Sequence, residues 1–203
     1  MPDIVFDRAT LFAGLGILVA IIRYIEYFRA LYNRTARPHV FSWFNWALIV
    51  GIAAAAQFQA GGGPSVWIMV MVAAMCFIVS IIALFIGEKN ITKSDWATFI
   101  GVLVIIPIWQ ASKDPMLTFA LLFVIDALSY WPTWRKMWAD PWSEPAMGFF
   151  WSGLRYFCAL CAVPDPSLIT LIYPFWLMAA DWGGGVYAMI RRAHLSKEVK
   201  ASL

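Results

Sequence analysis

Charge is scarce in this chain. Only 13% of its 203 residues are Asp, Glu, Lys or Arg, against about 25% in a soluble domain. Histidine is scarcer still: His39 and His194 are the only two, one in a loop and one in the tail. No pair of buried histidines is therefore available for a haem, and no helix carries a zinc-type His-Glu cluster. The three cysteines, Cys76, Cys158 and Cys161, all fall in apolar segments, which excludes a disulfide framework. There is no Gly-Lys-Ser/Thr phosphate loop, no Ser-His-Asp set and no long basic run of the kind that binds nucleic acid. An enzyme has no motif behind it, and neither a cofactor nor a metal is expected. A seven-helix retinal pigment would need a lysine in its last helix, and that segment has none.

What the chain has in excess is apolar surface, at 62% hydrophobic residues. A soluble core of this size cannot hide so much, but a bilayer accepts it, since about 20 apolar residues in a helix span the roughly 30 Å hydrocarbon layer. Seven segments fit: Leu11 to Phe28, Val40 to Ala60, Val66 to Ile86, Trp96 to Ala111, Met116 to Trp134, Ala146 to Val163 and Leu168 to Ile190. They use nearly all positions and leave no room for a soluble domain. Helix is the expected state, because unpaired backbone groups are intolerable in lipid. The first segment does not read as a secretory signal, since its flank from Asp3 to Arg8 is mixed in charge and no small-residue cleavage site follows. Lys and Arg collect in every second loop: Arg29, Arg34 and Arg37, then Lys89 and Lys93, then Arg135 and Lys136, then the tail. Basic loops stay in the cytoplasm, so the N-terminus is expected outside and the C-terminus inside, in a membrane of the bacterial inner-membrane type. Tryptophans such as Trp43, Trp67, Trp96, Trp109, Trp134, Trp138 and Trp142 sit near segment ends, as interfacial anchors do.

An internal repeat is readable. Arg23-Tyr-Ile-Glu-Tyr-Phe28 and Asp126-Ala-Leu-Ser-Tyr-Trp131 each close an outside-to-inside segment. A basic loop follows in both, then a proline opening the next segment (Pro38, Pro145), then Ser42-Trp43 in one and Phe150-Trp151-Ser152 in the other. The expected architecture is therefore all-α and polytopic, with two parallel three-helix repeats around a linker helix (3+1+3): residues 1–90, 91–114 and 115–203. Parallel repeats are a known transporter plan, with the substrate near the midplane between the halves. In this layout, in the Tyr130-Trp131-Pro132-Thr133-Trp134-Arg135-Lys136 stretch and in the Pro38-to-Trp46 stretch, the chain resembles the PQ-loop and SWEET superfamily of seven-helix transporters and receptors. Thr133 stands where that family has glutamine after proline, and Arg29 aligns with Pro132. The resemblance implies alternating access by rocking of the two halves.

Ionisable groups inside a bilayer are costly and mark function by default. The candidates are Arg23, Glu26, Asp126, Arg155 and Asp181. The repeat aligns Arg23 with Asp126 as pseudo-symmetry mates, so they are expected to pair, either as a gate or as a structural lock. Arg155 and Asp181, on consecutive helices, form a second expected pair. Asn45 is the most interior neutral polar residue, with Gln57, Gln59 and Gln110 nearer segment ends. Trp46 and Trp182 are candidates for stacking on a ring, and Tyr130 completes the set expected to line a solute site or gate. Gly183-Gly184-Gly185 beside Asp181 allows either local unwinding or close helix packing. Cys158-Ala-Leu-Cys161 has redox spacing, but in an apolar helix it reads as two small packing residues.

The expected function is a small-solute transporter or transporter-like receptor. The alternative is a non-transporting subunit that binds lipid, pigment or another membrane protein. The expected partners are the lipid bilayer, a small polar solute, and either further copies of the chain or a membrane-protein partner. Topology is testable by labelling. Cysteines placed in the loops near 62 or 113 should react with an impermeant reagent from outside, and those near 36 or 91 only after permeabilisation. Reaction at 62 and 91 from the same side would break the seven-span topology.

Overall fold

The computed structural model describes residues 7–36, 38–87, 91–112, 114–142 and 146–201. Within its helices, the side chains at 109, 115, 131–133, 135–136, 139 and 196–201 lie outside the described set. The described residues form seven helices and no strand: α1 (Arg8–Tyr32), α2 (Val40–Gln59), α3 (Ser65–Ile86), α4 (Lys93–Ser112), α5 (Pro115–Ala139), α6 (Ala146–Cys161) and α7 (Leu168–Ala201). Each lies where an apolar segment was expected. α1, α5 and α7 run past the apolar stretch into basic sequence, because hydropathy marks the lipid-facing length of a helix and not its hydrogen-bonded ends. Four helices, α1 to α4, are long and apolar enough to cross a bilayer. By that measure of length and composition the chain is an all-α integral membrane protein. α5 has a shorter apolar run, Met116–Tyr130. α6, with 16 residues, rises only about 24 Å.

The helix ends are built from local chemistry. Asp7 caps α1 by accepting the Thr10 N–H at 2.7 Å, and that bond holds its carboxyl below the usual carboxylate range. Thr92 and Asp95 cap α4 reciprocally: Asp95 accepts both the N–H and the hydroxyl of Thr92 at 2.7 Å, while Thr92 Oγ1 accepts the Asp95 N–H at 3.4 Å. This is a capping box with aspartate in the acidic position. His39, at the start of α2, lies 3.5 Å from the same carboxylate and ties α2 to α4. α2 ends in a Schellman turn, with Gly62 N–H donating to Gln57 C=O and Gly61 N–H to Phe58 C=O. Gly61 has φ +79°, which L side chains avoid.

α2 is the most central helix, packing on α3, α4, α5 and α7. Ala53, Ala54 and Ala56 on it are buried and admit neighbours closely. The main core gathers Ile49, Val50, Met69, Val72, Leu122 and Tyr173. α1 packs on α3 and α6, α3 also meets α6, and α7 lies against α5 and α6. Among the described residues, neither α1 with α2 nor α5 with α6 makes a close backbone approach. Leu11, Leu15, Leu18, Phe77, Ile81 and Leu84 are exposed, as lipid-facing residues must be.

Small residues set the tightest contacts. A Cβ at Gly153 would collide with the Trp182 ring. At Gly184 and Gly185 it would come within 3.1–3.3 Å of the Phe149 and Phe150 rings. α7 stays helical through Gly183–Gly185, so the last two glycines serve close packing on α6 and not unwinding. Cys158 is buried with Ile68 and Ala159, consistent with a packing role.

Pro174 lies inside α7 and supplies no N–H for the carbonyl four residues back, Thr170. Gln57 of α2 fills that vacancy: its Nε2 donates to Thr170 O at 2.9 Å and to Ser65 Oγ at 3.3 Å. Gln57→Leu is therefore expected to lower stability by about 1–3 kcal/mol, the cost of a buried group left unbonded. Pro174→Ala in the Gln57→Leu background should recover part of the loss by restoring the helical bond. Thermal melts of the four proteins of this cycle check it, and equal effects of Pro174→Ala in both backgrounds would separate the two residues.

Candidate functional site

The interior carries an unusual load of charge and hydroxyl. On α5, Asp126 and Tyr130 are four residues apart and share one face. Asp126 is fully buried, and Tyr130 is 7% exposed. On α7, Tyr173, Leu177 and Asp181 repeat at the same interval and are buried. On α6, Ser152, Arg155, Tyr156 and Ala159 make the inward face. α1 adds Tyr24 and α3 adds Cys76, both buried.

These residues are joined by hydrogen bonds and ring contacts, most of them between helices. The Trp176 indole N–H donates to Asp126 Oδ2 at 2.7 Å. The Tyr130 hydroxyl donates to Asp181 Oδ1 at 3.1 Å. Arg155 Nη2 donates to Tyr156 Oη at 3.3 Å, and its guanidinium lies 4.7 Å from the Tyr156 ring centre and 5.7 Å from that of Tyr24. The Tyr24 hydroxyl lies 3.4 Å from both Val72 O and Cys76 Sγ. Such cation–π contacts stabilise a guanidinium withdrawn from water.

The cluster is not closed. Among the described residues, Asp126 Oδ1, Arg155 Nε and Tyr173 Oη are buried without a hydrogen-bond partner, as are Asn45 Oδ1 and Gln57 Oε1 on α2. Asp181 lies within electrostatic range of Arg155 and Arg23, and Tyr173 within that of Asp126 and Tyr156. One acceptor, one charged donor and one hydroxyl thus face an interior that leaves them unmatched. Buried polar groups in proteins are otherwise almost always paired.

The expected Arg23–Asp126 pair is not formed. Arg23 Nε donates to Gly148 O on α6 at 3.2 Å, and its guanidinium sits 5.1 Å from the Tyr27 ring centre. The reason is architectural: α1 packs on α6 and α5 packs on α2, so the backbones of α1 and α5 do not approach. Arg155 and Asp181 share one cluster, but among the described residues no guanidinium nitrogen reaches either buried aspartate within 4.0 Å. Asn45 turns to α4 instead, donating from Nδ2 to Thr98 Oγ1 at 3.3 Å, with Oδ1 unbonded. Trp46 lies beside Tyr130, with ring centres 6.1 Å apart. Trp182 belongs to the α6–α7 contact, where its N–H donates to Phe150 O at 3.2 Å and its ring stacks on Phe157. Of the expected set, Asp126, Tyr130, Arg155 and Asp181 are brought together with Trp46 at the edge. Gln59 and Gln110 are exposed. The Trp131–Thr133 and Arg135–Lys136 part of the resemblance motif falls on side chains outside the described set.

Sequence reading missed Tyr24, Tyr156, Tyr173, Trp176 and Cys76. A signal was present: Tyr173 and Trp176 stand eight and five residues before Asp181 on one helix, and Tyr156 directly follows Arg155. A double-mutant cycle tests the geometry. Trp176→Phe should cost about 1.5–3 kcal/mol, the value of a hydrogen bond to a charged group, and should be strongly non-additive with Asp126→Asn. Arg23→Ala and Asp126→Ala should add to within about 0.5 kcal/mol, as separated sites do. A large coupling between Arg23 and Asp126 would contradict the helix packing described above.

No known protein-family model, no curated protein and no solved structure matches the chain.

Proposed function

We propose that the chain is a transporter-like membrane protein that holds a small polar solute inside a bundle of two three-helix units. The observation that carries this reading is the unmatched trio of Asp126 Oδ1, Arg155 Nε and Tyr173 Oη. They stand in one cluster with Tyr130, Asp181 and Trp176. A protein that only needed stability would gain by replacing such a set with apolar residues, since buried charges without direct partners are costly. A polar solute with both donors and acceptors would complete the set.

The packing pattern supports the paired architecture. In the first unit α3 packs on α1 and on α2; in the second, α7 packs on α5 and on α6. Contacts across the two are also matched, α1 with α6 and α5 with α2, then α3 with α6 and α7 with α2. Exchanging each helix for the one four places later in the chain leaves the pattern unchanged. α4, touching α2 and α5, is the linker in this reading. All seven helices then cross the membrane, with the N-terminus outside, the C-terminus in the cytoplasm, and an inner membrane of bacterial type as the location. PQ-loop and SWEET proteins are the proposed relatives, and rocking of the two units is the proposed motion.

The test is a thermal-shift panel of sugars, amino acids and small organic ions on purified protein. A binder present at 100 times its Kd stabilises by about 2.7 kcal/mol, and Asp126→Asn or Arg155→Gln should abolish that shift. In reconstituted vesicles, Asp181→Asn should remove pH-driven uptake of the binder while leaving exchange intact, because shape is kept and the exchangeable proton is lost. Uptake equal to wild type at every pH would take Asp181 out of the mechanism. A panel with neither binder nor uptake would favour the non-transporting subunit.

A further inference from the structure

A second feature lies on the outside of the bundle. Between α5 and α7 runs a half-open cavity of about 360 Å³, lined by Trp134, Trp176, Ala179, Ala180, Gly183 and Tyr187. That volume falls in the range of small-molecule pockets, about 300–1,000 Å³. Its floor is a stripe of small residues along α7, and Trp134 and Tyr187 face each other with ring centres 6.4 Å apart. Gly184 and Gly185 are explained by the phenylalanine rings of α6. Gly183 is not: a Cβ there would meet nothing within 4 Å. Glycine inside a helix costs about 1 kcal/mol relative to alanine, and here that cost keeps a groove open instead of closing a helix contact.

At one end the groove becomes basic. Tyr187 stacks on Trp138, with ring centres 6.4 Å apart. One turn further along α7, the Arg191 guanidinium lies 4.4 Å from the Trp138 ring centre, with Nε donating to Trp138 O at 3.2 Å. Arg192 Nε donates to Pro141 O at 2.9 Å. Both guanidinium groups are thereby held on the α5 side of α7, at the end of the aromatic wall.

We infer that this groove binds one anionic phospholipid, with an acyl chain along the Gly183 stripe and the headgroup phosphate at Arg191 and Arg192. The length argues for it. From Trp176 to Arg191 is 15 residues, about 22 Å of helix, which suits an extended chain ending at the depth of a headgroup. The charge argues for it as well, since arginines beside an interfacial tryptophan at the end of an apolar slot match an anion on a hydrocarbon tail. The groove shares Trp176 with the Asp126–Asp181 cluster, but Gly183, Arg191 and Arg192, which test the inference, belong to the groove alone.

The test is native mass spectrometry of the full chain, purified and then mixed with phosphatidylglycerol or with phosphatidylcholine of the same acyl chains. Wild type should retain phosphatidylglycerol in preference. Arg191→Gln and Arg192→Gln should each reduce that preference about fivefold and leave phosphatidylcholine retention unchanged. Gly183→Leu fills the groove and should lose the retained lipid of either kind. Gly14→Leu, at an equally open glycine on α1, should lose none, and a thermal melt confirms that both leucine variants fold. Three outcomes would overturn the inference: equal retention of the two lipids by wild type, undiminished retention in a folded Gly183→Leu, or a dimer of this chain that Gly183→Leu dissolves.

Discussion

Keeping charge inside a bundle that faces lipid is the constraint on which the rest of this structure depends. Asp126, Asp181 and Arg155 are all buried, and none of the three is neutralised by a direct ion pair among the described residues. Each carboxylate is held by one aromatic donor on a neighbouring helix, Trp176 for Asp126 and Tyr130 for Asp181. The guanidinium is held by aromatic faces. Aromatic residues are suited to this work because they bring a polar atom on a large apolar body. They can lie in a lipid-exposed helix and still reach a charge in the interior. The tryptophan and tyrosine content of the chain is therefore divided between interfacial anchoring and ligation of interior charge.

The same economy appears where backbone is broken. Pro174 frees the carbonyl of Thr170, a fully buried residue, and a glutamine from the most central helix answers it. That single side chain joins α2, the start of α3 through Ser65, and the first turn of α7. α7 is thereby fastened to the core at the point where its own hydrogen bonding fails.

Much of this was legible in the sequence. Apolar runs located all seven helices because each helix is built on one, and Asp126, Arg155 and Asp181 stood out as charges within such runs. What could not be read was who meets whom. The alignment of Arg23 with Asp126 was a statement about chain position, and it became a wrong contact because symmetry mates need not be neighbours. Arg23 found a backbone carbonyl instead. The end of α1 also gave no glycine to read: Arg34 itself takes the left-handed position, at φ +57°, and the Thr35 N–H closes the turn on Ala30. Tyr173 and Trp176 carry no charge, so only their place ahead of Asp181 on one helix set them apart from lipid-facing aromatics.

The interlock between α6 and α7 has a mechanical consequence. Rings from both helices act as teeth: Phe149 and Phe150 of α6 seat over Gly184 and Gly185, and Trp182 of α7 seats over Gly153. Sliding one helix past the other by a turn, about 5.4 Å, would drive each ring from its notch into a side chain. Shear along this boundary is therefore blocked, and the two helices travel as a single lever. A displacement at the Asp181 level of α7 therefore carries α6 with it, and the boundary with α5, where the groove leaves the contact incomplete, is where the pair has room to move.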